Sequence, residues 1–303
     1  MKASLLHIRT YFRWYFLLLL IVLASVLFWT VFWERQEGIL TFAVLDVGQG
    51  DALYIESPTG VQVIVDGGPG NNLLKEVPKV MPWYDRSVDL IVVTNPDSDH
   101  YEGFIKFLNK YSIANILEPG TTNIYPAYEI FENKIKEKNI PKTLARRGQI
   151  IDIGGGAYLQ VLFPDRNVSQ VAPNTGSIVM KLVYGGTSVL LQGDSISNIE
   201  QYLLELDGDY LKSDILKIGH HGSKTSSIEE YVAKVSPDFA VISSGKNNSY
   251  GHPHKETLEI LDKLKTQTLE TCNNGRLIFE SDGKNFVLKN KNPKIAVVGC
   301  KID

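Results

Sequence analysis

Cysteine is almost missing from this chain. Cys272 and Cys300 are the only two in 303 residues, too few and too far from any histidine pattern for a disulfide framework or a zinc knuckle. They read as bystanders, with Cys300, close to the terminus, able to react. An excess of positive charge is missing too, since 31 Lys and Arg stand against 34 Asp and Glu for a net −3. Residues 1–37 carry Lys2, Arg9, Arg13 and Arg35 against Glu34 and Glu37, or +2, which leaves the rest of the chain at −5. That balance argues against a dedicated duplex-DNA binder with a basic stripe. It leaves room for a nuclease, in which a bound metal supplies positive charge locally. There is no short-period repeat and no long linker after residue 38, so a string of small domains is not indicated.

What is present is the composition of a packed protein, 44% hydrophobic and 21% charged. Residues 14–33, WYFLLLLIVLASVLFWTVFW, hold no charge and are long enough to cross a bilayer as a helix. Tyr11, Phe12, Trp14 and Tyr15 at one end and Trp29, Phe32 and Trp33 at the other suit the two headgroup levels. A cleaved signal peptide is the weaker reading, because the run exceeds a normal apolar core and lacks a small-x-small site. Lys2, Arg9 and Arg13 precede the run, so the positive-inside rule keeps residues 1–13 in the cytoplasm. The chain beyond a linker at 34–38 then lies outside.

The remainder reads as strands and helices in alternation. Apolar runs at 39–47, 52–57 and 61–68, punctuated by GQGD and PTG turns, predict an antiparallel meander. Strands follow at 88–94 and 112–120, a helix at 127–138, and paired strands near 157–163, 177–183 and 188–191. The second half adds helices at 196–206, 228–235 and 255–265, with strands at 214–219, 238–244, 276–279 and 285–288. Two halves of strands with helices outside predict an α/β/β/α sandwich rather than one parallel doubly wound sheet. The domain is expected over 39–290, followed by a tail at 291–303 whose IAVV, 295–298, reads as an edge strand.

The chemistry collects where strands end. Val65 runs into Asp66-Gly67-Gly68, Val93 into TNPDSDH, Leu191 into Gln192-Gly193-Asp194, and Ile218 into Gly219-His220-His221-Gly222-Ser223. Strand ends of α/β sheets are where a rigid frame aims side chains into one cleft. Four of the six histidines fall in two short segments, His220-His221 and His252-Pro253-His254. A lone histidine is more often structural than a ligand. Asp99, His100, Asp194 and His220 together, at successive strand ends, reverse that expectation.

FAVLDVGQGDALYI, VIVDGG, NPDSDH, NTGSIVMKLVYGG, LLQGD, DILKIGHHGS and YGHPH, in this order, resemble the metallo-β-lactamase-fold domain of ComEC-type competence proteins, which take up DNA. The resemblance covers roughly residues 40–290. It implies a metallo-β-lactamase α/β/β/α sandwich, here preceded by one N-terminal transmembrane helix in place of a many-helix channel. By the same resemblance Asn95 and Asp97 would face metal site one, Asp99 and His100 site two, Asp194 would bridge them, and His220 would complete site two. The first motif position, a histidine in the family, is Asn95 here, and NTGS at 174–177 stands where zinc lactamases have a further histidine. Oxygen donors alone at site one suit a weakly held ion, so one firmly held Zn²⁺ or Mn²⁺ with a second, weaker site is expected.

Asp66 is expected to accept a hydrogen bond from a ligand histidine, with His221 also placed behind the ligands. Asp99 would orient the attacking water, and His252 or His254 would protonate the departing oxygen or bind phosphate. Ser223 and Lys224 are lesser phosphate contacts, and Asp46, Gln49 and Asp51 are expected at the cleft rim. The expected function is a membrane-anchored, extracytoplasmic metal-dependent hydrolase, a phosphodiesterase or nuclease acting on single-stranded DNA or another phosphodiester. The alternative is a catalytically degraded, metal-stabilised binding module beside a membrane channel. β-Lactam hydrolysis fits poorly without the His-rich zinc site.

Overall fold

The computed structural model describes residues 2–33, 38–295 and 299–300. The chain divides into two compact units, Met1–Glu37 and Gly38–Asp303. The first is built on helix α1, Lys2–Trp33, whose stretch Tyr11–Trp29 is long and apolar enough to cross a membrane and has none of its surface buried. Residues 34–37 of the expected linker and 296–298 of the expected edge strand lie outside the described residues.

In the second unit the chain forms β1 (Leu40–Val44), β2 (Leu53–Glu56), β3 (Gln62–Val65), α2 (Leu73–Glu76), β4 (Ser87–Val92) and α3 (Ser98–Phe107). Then come β5 (Ser112–Glu118), α4 (Pro126–Glu137), β6 (Lys142–Leu144), β7 (Ile150–Gly154) and β8 (Ala157–Phe163). They are followed by β9 (Val179–Tyr184), β10 (Thr187–Leu191), α5 (Ser197–Asp207), β11 (Ile215–Lys217) and α6 (Glu229–Val235). The chain closes with β12 (Phe239–Ile242), α7 (Lys255–Lys263), β13 (Gln267–Glu270), α8 (Thr271–Asn274), β14 (Leu277–Ser281) and β15 (Phe286–Leu288). One sheet runs β15-β14-β1-β2-β3-β4-β5-β6 and the other β13-β12-β11-β10-β9-β8-β7.

The strands are apolar on both faces because both faces are covered, which is why they read as nearly continuous hydrophobic runs. On β1, Phe42 and Val44 enter the core between the sheets while Ala43 points to the outer helices. β10 and β12 repeat the alternation, with Val189, Leu191 and Val241 inside the sandwich and Leu190, Ala240 and Ile242 under helices α5, α6 and α7. A strand period of two thus makes three cores: one between the sheets, one under α3 and α4, and one under the helices of the second half. This is the four-layer α/β/β/α sandwich.

Parallel pairing positions the site. β3 and β4 run parallel, as do β10, β11 and β12, so the loops leaving their C-terminal ends open toward the same edges of the two sheets. The bystander reading of the cysteines is corrected here. Cys272, on α8, and Cys300 form a disulfide with Cα atoms 5.6 Å apart. Distance along the sequence hid the pair: 28 residues separate them, and the tail folds back so that Asn247 N–H donates to the Cys300 carbonyl at 3.0 Å and Gly299 N–H to Glu270 at 3.0 Å. Closing a loop of that length contributes about 3–4 kcal/mol by chain entropy. Cys272→Ser is therefore expected to lower the melting temperature by roughly 10 °C, and a denaturation curve unchanged by the substitution would show the bond to be without consequence.

Candidate metal centre

Only residues 93–97 separate the end of β4 from helix α3, so the first turn of the helix carries Asp99 and His100 close off a strand end. The helix presses on the loop after β3 through Gly103, whose N–H donates to the Gly68 carbonyl at 2.8 Å. A Cβ at 103 would overlap the Gly67 carbonyl. Gly103→Ala is expected to cost about 1–3 kcal/mol and to push His100 off its seat, which urea denaturation together with metal titration would register. If neither stability nor metal affinity changed, this packing would not be what positions the helix.

His100 is wholly buried. Its Nδ1–H donates to Asp66 Oδ2 at 2.8 Å, and Asp66 also accepts from Thr94 N–H at 2.8 Å and Thr94 Oγ1–H at 2.6 Å. The ring is thus locked with Nε2 toward Asp194 Oδ2, 3.0 Å away. A second pair repeats the device. His221 Nδ1 faces the Ser243 carbonyl at 3.0 Å and Asp51 Oδ1 at 3.3 Å, so its Nε2 comes within 3.2 Å of Asp99 and 3.5 Å of Asp194. Asp51 in turn holds the buried Lys217 ammonium at 2.7 Å.

The sequence expectation placed His220 at the metal and His221 behind it; the geometry orders them the other way. Both residues sit in left-handed backbone, φ 48° and 55°, a conformation that costs a non-glycine residue roughly 1–3 kcal/mol and that a fold retains when side chains must be aimed. The aim puts His221 in the interior and leaves His220 at the rim, its Nε2 3.8 Å from Asp194 and its Nδ1 3.0 Å from Thr225 Oγ1. Asn95 is fully buried, yet its Oδ1 accepts from Asp97 N–H at 2.9 Å and so is spent on its own loop. Asp97 lines the cleft and accepts from Asn123 Nδ2 at 3.3 Å. The structure brings Asp99, His100, Asp194 and His221 round one point, with one ligand atom from each within 4.8 Å of the others.

Electrostatics favour a cation at that point. Burial disfavours a charged ring at His100 and His221, but Asp194 with Asp66 or Asp51 outweighs it and raises both pKa values well above the ordinary imidazole value. Burial likewise raises Asp194, and the two rings more than reverse it, holding that carboxyl well below its usual range. His100 Nε2 faces the carboxylate of Asp194, and His221 Nε2 those of Asp99 and Asp194, at 3.0 to 3.5 Å, so the buried donor atoms of the cluster are turned toward one another and toward the point a metal would occupy. Two imidazoles and two carboxylates match the donor set of Zn²⁺, Mn²⁺ or iron. The residues fit a divalent metal.

Around this cluster lies a cleft of about 210 Å³ lined by Gln49, Tyr125, Tyr250 and His252 among others. Burial and the neighbouring histidines push the His252 pKa down to about 4, so the ring is neutral at neutral pH. Gly245 N–H fixes the Gln49 amide by donating to its Oε1 at 3.2 Å, which turns Gln49 Nε2 toward His252 Nδ1 at 3.4 Å. The His252 proton is then on Nε2. His254 does not line the cleft; it caps helix α7 and its Nδ1 accepts from Lys224 N–H at 3.2 Å.

Four supports escaped sequence reasoning. Asp51, expected at the rim, is buried behind His221, and Lys217 stands in an otherwise apolar strand, the one signal that could have exposed the pair. Ser177 Oγ accepts from Asp194 N–H at 3.0 Å. Glu200, on α5, joins the Asp194 loop to the loop after His221 by accepting from Gln192 Nε2, Ser227 N–H at 2.5 Å and Ile228 N–H at 2.9 Å.

A two-sheet sandwich that gathers imidazole and carboxylate donors at its strand ends is built for metal-dependent hydrolysis. The chain belongs to the metallo-beta-lactamase superfamily, whose family model matches residues 45–246. Several curated proteins are similar to it, three of which follow. ComE operon protein 3 of Bacillus subtilis (strain 168) is 27% identical, the alignment covering 78% of this chain and 32% of the relative. Recombination protein 2 of Haemophilus influenzae is 30% identical over 77% and 28%, and competence protein ComA of Neisseria gonorrhoeae 28% over 78% and 31%. The chain spans about a third of the length of these relatives. Among solved structures, the metallo-beta-lactamase fold protein YhfI from Bacillus subtilis superposes with a TM-score of 0.55 over 80% of this chain and 100% of its own, at 10% identity, a likeness of fold alone.

Proposed function

We propose that the protein is a membrane-anchored, extracytoplasmic phosphodiesterase that acts as a nuclease, with Zn²⁺ or Mn²⁺ held by Asp99, His100, Asp194 and His221. The observation that carries this reading is the convergence of two imidazole and two carboxylate donors on one point at a solvent-reached cleft. Similarity to Recombination protein 2 and competence protein ComA favours nucleic acid among phosphodiesters. A span after Lys2, Arg9 and Arg13 supports an outward domain, and so does the Cys272–Cys300 bond, because disulfides persist in oxidising compartments.

A divalent metal held there supplies Lewis acidity, polarising a phosphoryl oxygen and acidifying water. Asp99, the most exposed of the four residues and held ionised by the neighbouring imidazoles against its burial, accepts the proton of the attacking water. His252, neutral with its proton on Nε2, donates a hydrogen bond to the departing oxygen, which takes its proton from water in the solvent-reached cleft while Asp99 returns the proton it accepted to solvent. Asp66 and Asp51 hold the two rings in one tautomer. Hydrolysis of a single-stranded oligonucleotide and of a simple phosphodiester by the full chain in detergent, with Mn²⁺ or Zn²⁺, tests the reading. Metal-dependent turnover abolished by chelation is expected. A second reading, the metal-stabilised binding module, draws on Asn95, whose oxygen serves its own loop; it predicts that metal raises the melting temperature while both substrates stay intact.

A further inference from the structure

Two tyrosines at the lip of the cleft have no part in the chemistry above. Tyr125 is 58% exposed and Tyr250 65% exposed, and both line the same cleft as Asp99, Asp194 and His221. They come from separate loops. Tyr125 caps the start of helix α4, two residues after the Asn123 that touches Asp97, and Tyr250 precedes His252 by two residues. The Tyr250 ring stacks on His252, centroids 5.7 Å apart and planes 22° from parallel, so the ring is held flat while most of its surface stays in solvent. Aromatic rings elsewhere beside this region are packed: Tyr101, Tyr128 and Phe131 form a buried group behind Tyr125. Exposing two large rings at one polar opening is a feature that a ligand would explain.

The size of the cleft says what lies where. At about 210 Å³ it falls below the roughly 300 Å³ of the smallest ordinary small-molecule sites. It takes a phosphodiester group and leaves the attached bases outside, at the lip. Charge cannot supply the grip there, since the chain beyond residue 37 carries −5 and the cleft itself presents Asp97, Asp99 and Asp194. Stacking can, because every base offers a π-face to an aromatic ring whatever its sequence.

We infer that Tyr125 and Tyr250 are specificity-determining residues that stack on unpaired bases flanking the scissile phosphodiester, so that the site selects single-stranded nucleic acid through base faces rather than phosphate charge. The inference rests on the phosphodiesterase reading for its placement of substrate, but its test is separable. Full-length protein in nanodiscs would be titrated, in chelator, with a labelled thymidine 12-mer and with an abasic 12-mer of the same backbone, and cleavage of both followed with Mn²⁺. The thymidine strand is expected to bind at least about fivefold more tightly than the abasic strand, the low end of what one base–ring stack provides. Tyr125→Ala and Tyr250→Ala should each lower thymidine-strand affinity and kcat/KM about tenfold and leave the abasic strand within twofold, while Tyr125→Phe and Tyr250→Phe keep wild-type values. Equal binding of the two strands, or alanine variants that weaken both alike, overturns the inference. Absence of cleavage with base-dependent binding intact would instead sink the phosphodiesterase reading and leave the two tyrosines as base-stacking residues of a single-strand binding site.

Discussion

Asp194→Ala is expected to reduce metal-dependent turnover by more than a hundredfold and to lower metal content per chain in parallel. The reason is its central position. One carboxylate lies 3.0 Å from His100 Nε2, 3.5 Å from His221 Nε2 and 3.8 Å from His220 Nε2, so its removal strips a donor from the cluster and the counter-charge from both buried rings. Loss of a group that merely orients a ligand costs 10–100-fold, and a direct donor should exceed that. The comparison variant is Ser177→Ala, which removes only the hydroxyl that accepts from Asp194 N–H and should stay within that range. Turnover by Asp194→Ala within tenfold of wild type would place the chemistry elsewhere.

The largest effect on stability is expected at Lys217. Its ammonium is buried with Asp51, 2.7 Å away, and also donates to the Ile218 carbonyl at 2.9 Å. Removing one partner of a buried pair leaves an uncompensated charge, a cost of about 3–5 kcal/mol. Lys217→Met should therefore drop the melting temperature by about 10 °C or more, and a second change, Asp51→Asn, should recover part of the loss. Burial raises the Asp51 pKa, but Lys217 and His221 outweigh it and hold the carboxyl at about 2. A folded pKa below the unfolded value near 3.8 means the native state sheds its proton more readily. The stabilisation is fully present above that unfolded value and is lost as pH falls through about 2. Lys217→Met should flatten this acid limb as well as lower the whole curve. An unchanged limb would show that Lys217 does not hold Asp51 ionised.

Much of this fold was legible because burial on both faces writes itself into continuous apolar runs. Runs at 39–47, 52–57 and 61–68 matched β1, β2 and β3, and the polar clusters that ended them marked the loops of the site. Short edge strands such as β6, three exposed residues, carry no such signal. Helix α3 was hidden because its first turn is made of the polar residues that read as a loop. The order of His220 and His221 could not be read at all. It depends on two successive left-handed residues, and nothing in HHGS announces a positive φ at a histidine. The disulfide was equally silent, since Cys300 reaches α8 only through a tail whose return depends on contacts with Asn247, Glu270 and Asn273. Asn95 was conspicuous as a departure from a motif, but only the structure showed its oxygen turned to Asp97 N–H.

The most direct test of the account is metal content, by elemental analysis, of full-length wild type, His221→Ala and His220→Ala purified alike and dialysed against trace chelator. Because His221 lies inside the four-residue cluster and His220 at its rim, the account predicts that His221→Ala loses the tightly held ion while His220→Ala retains it. Retention by His221→Ala with loss by His220→Ala would contradict the assignment of the centre.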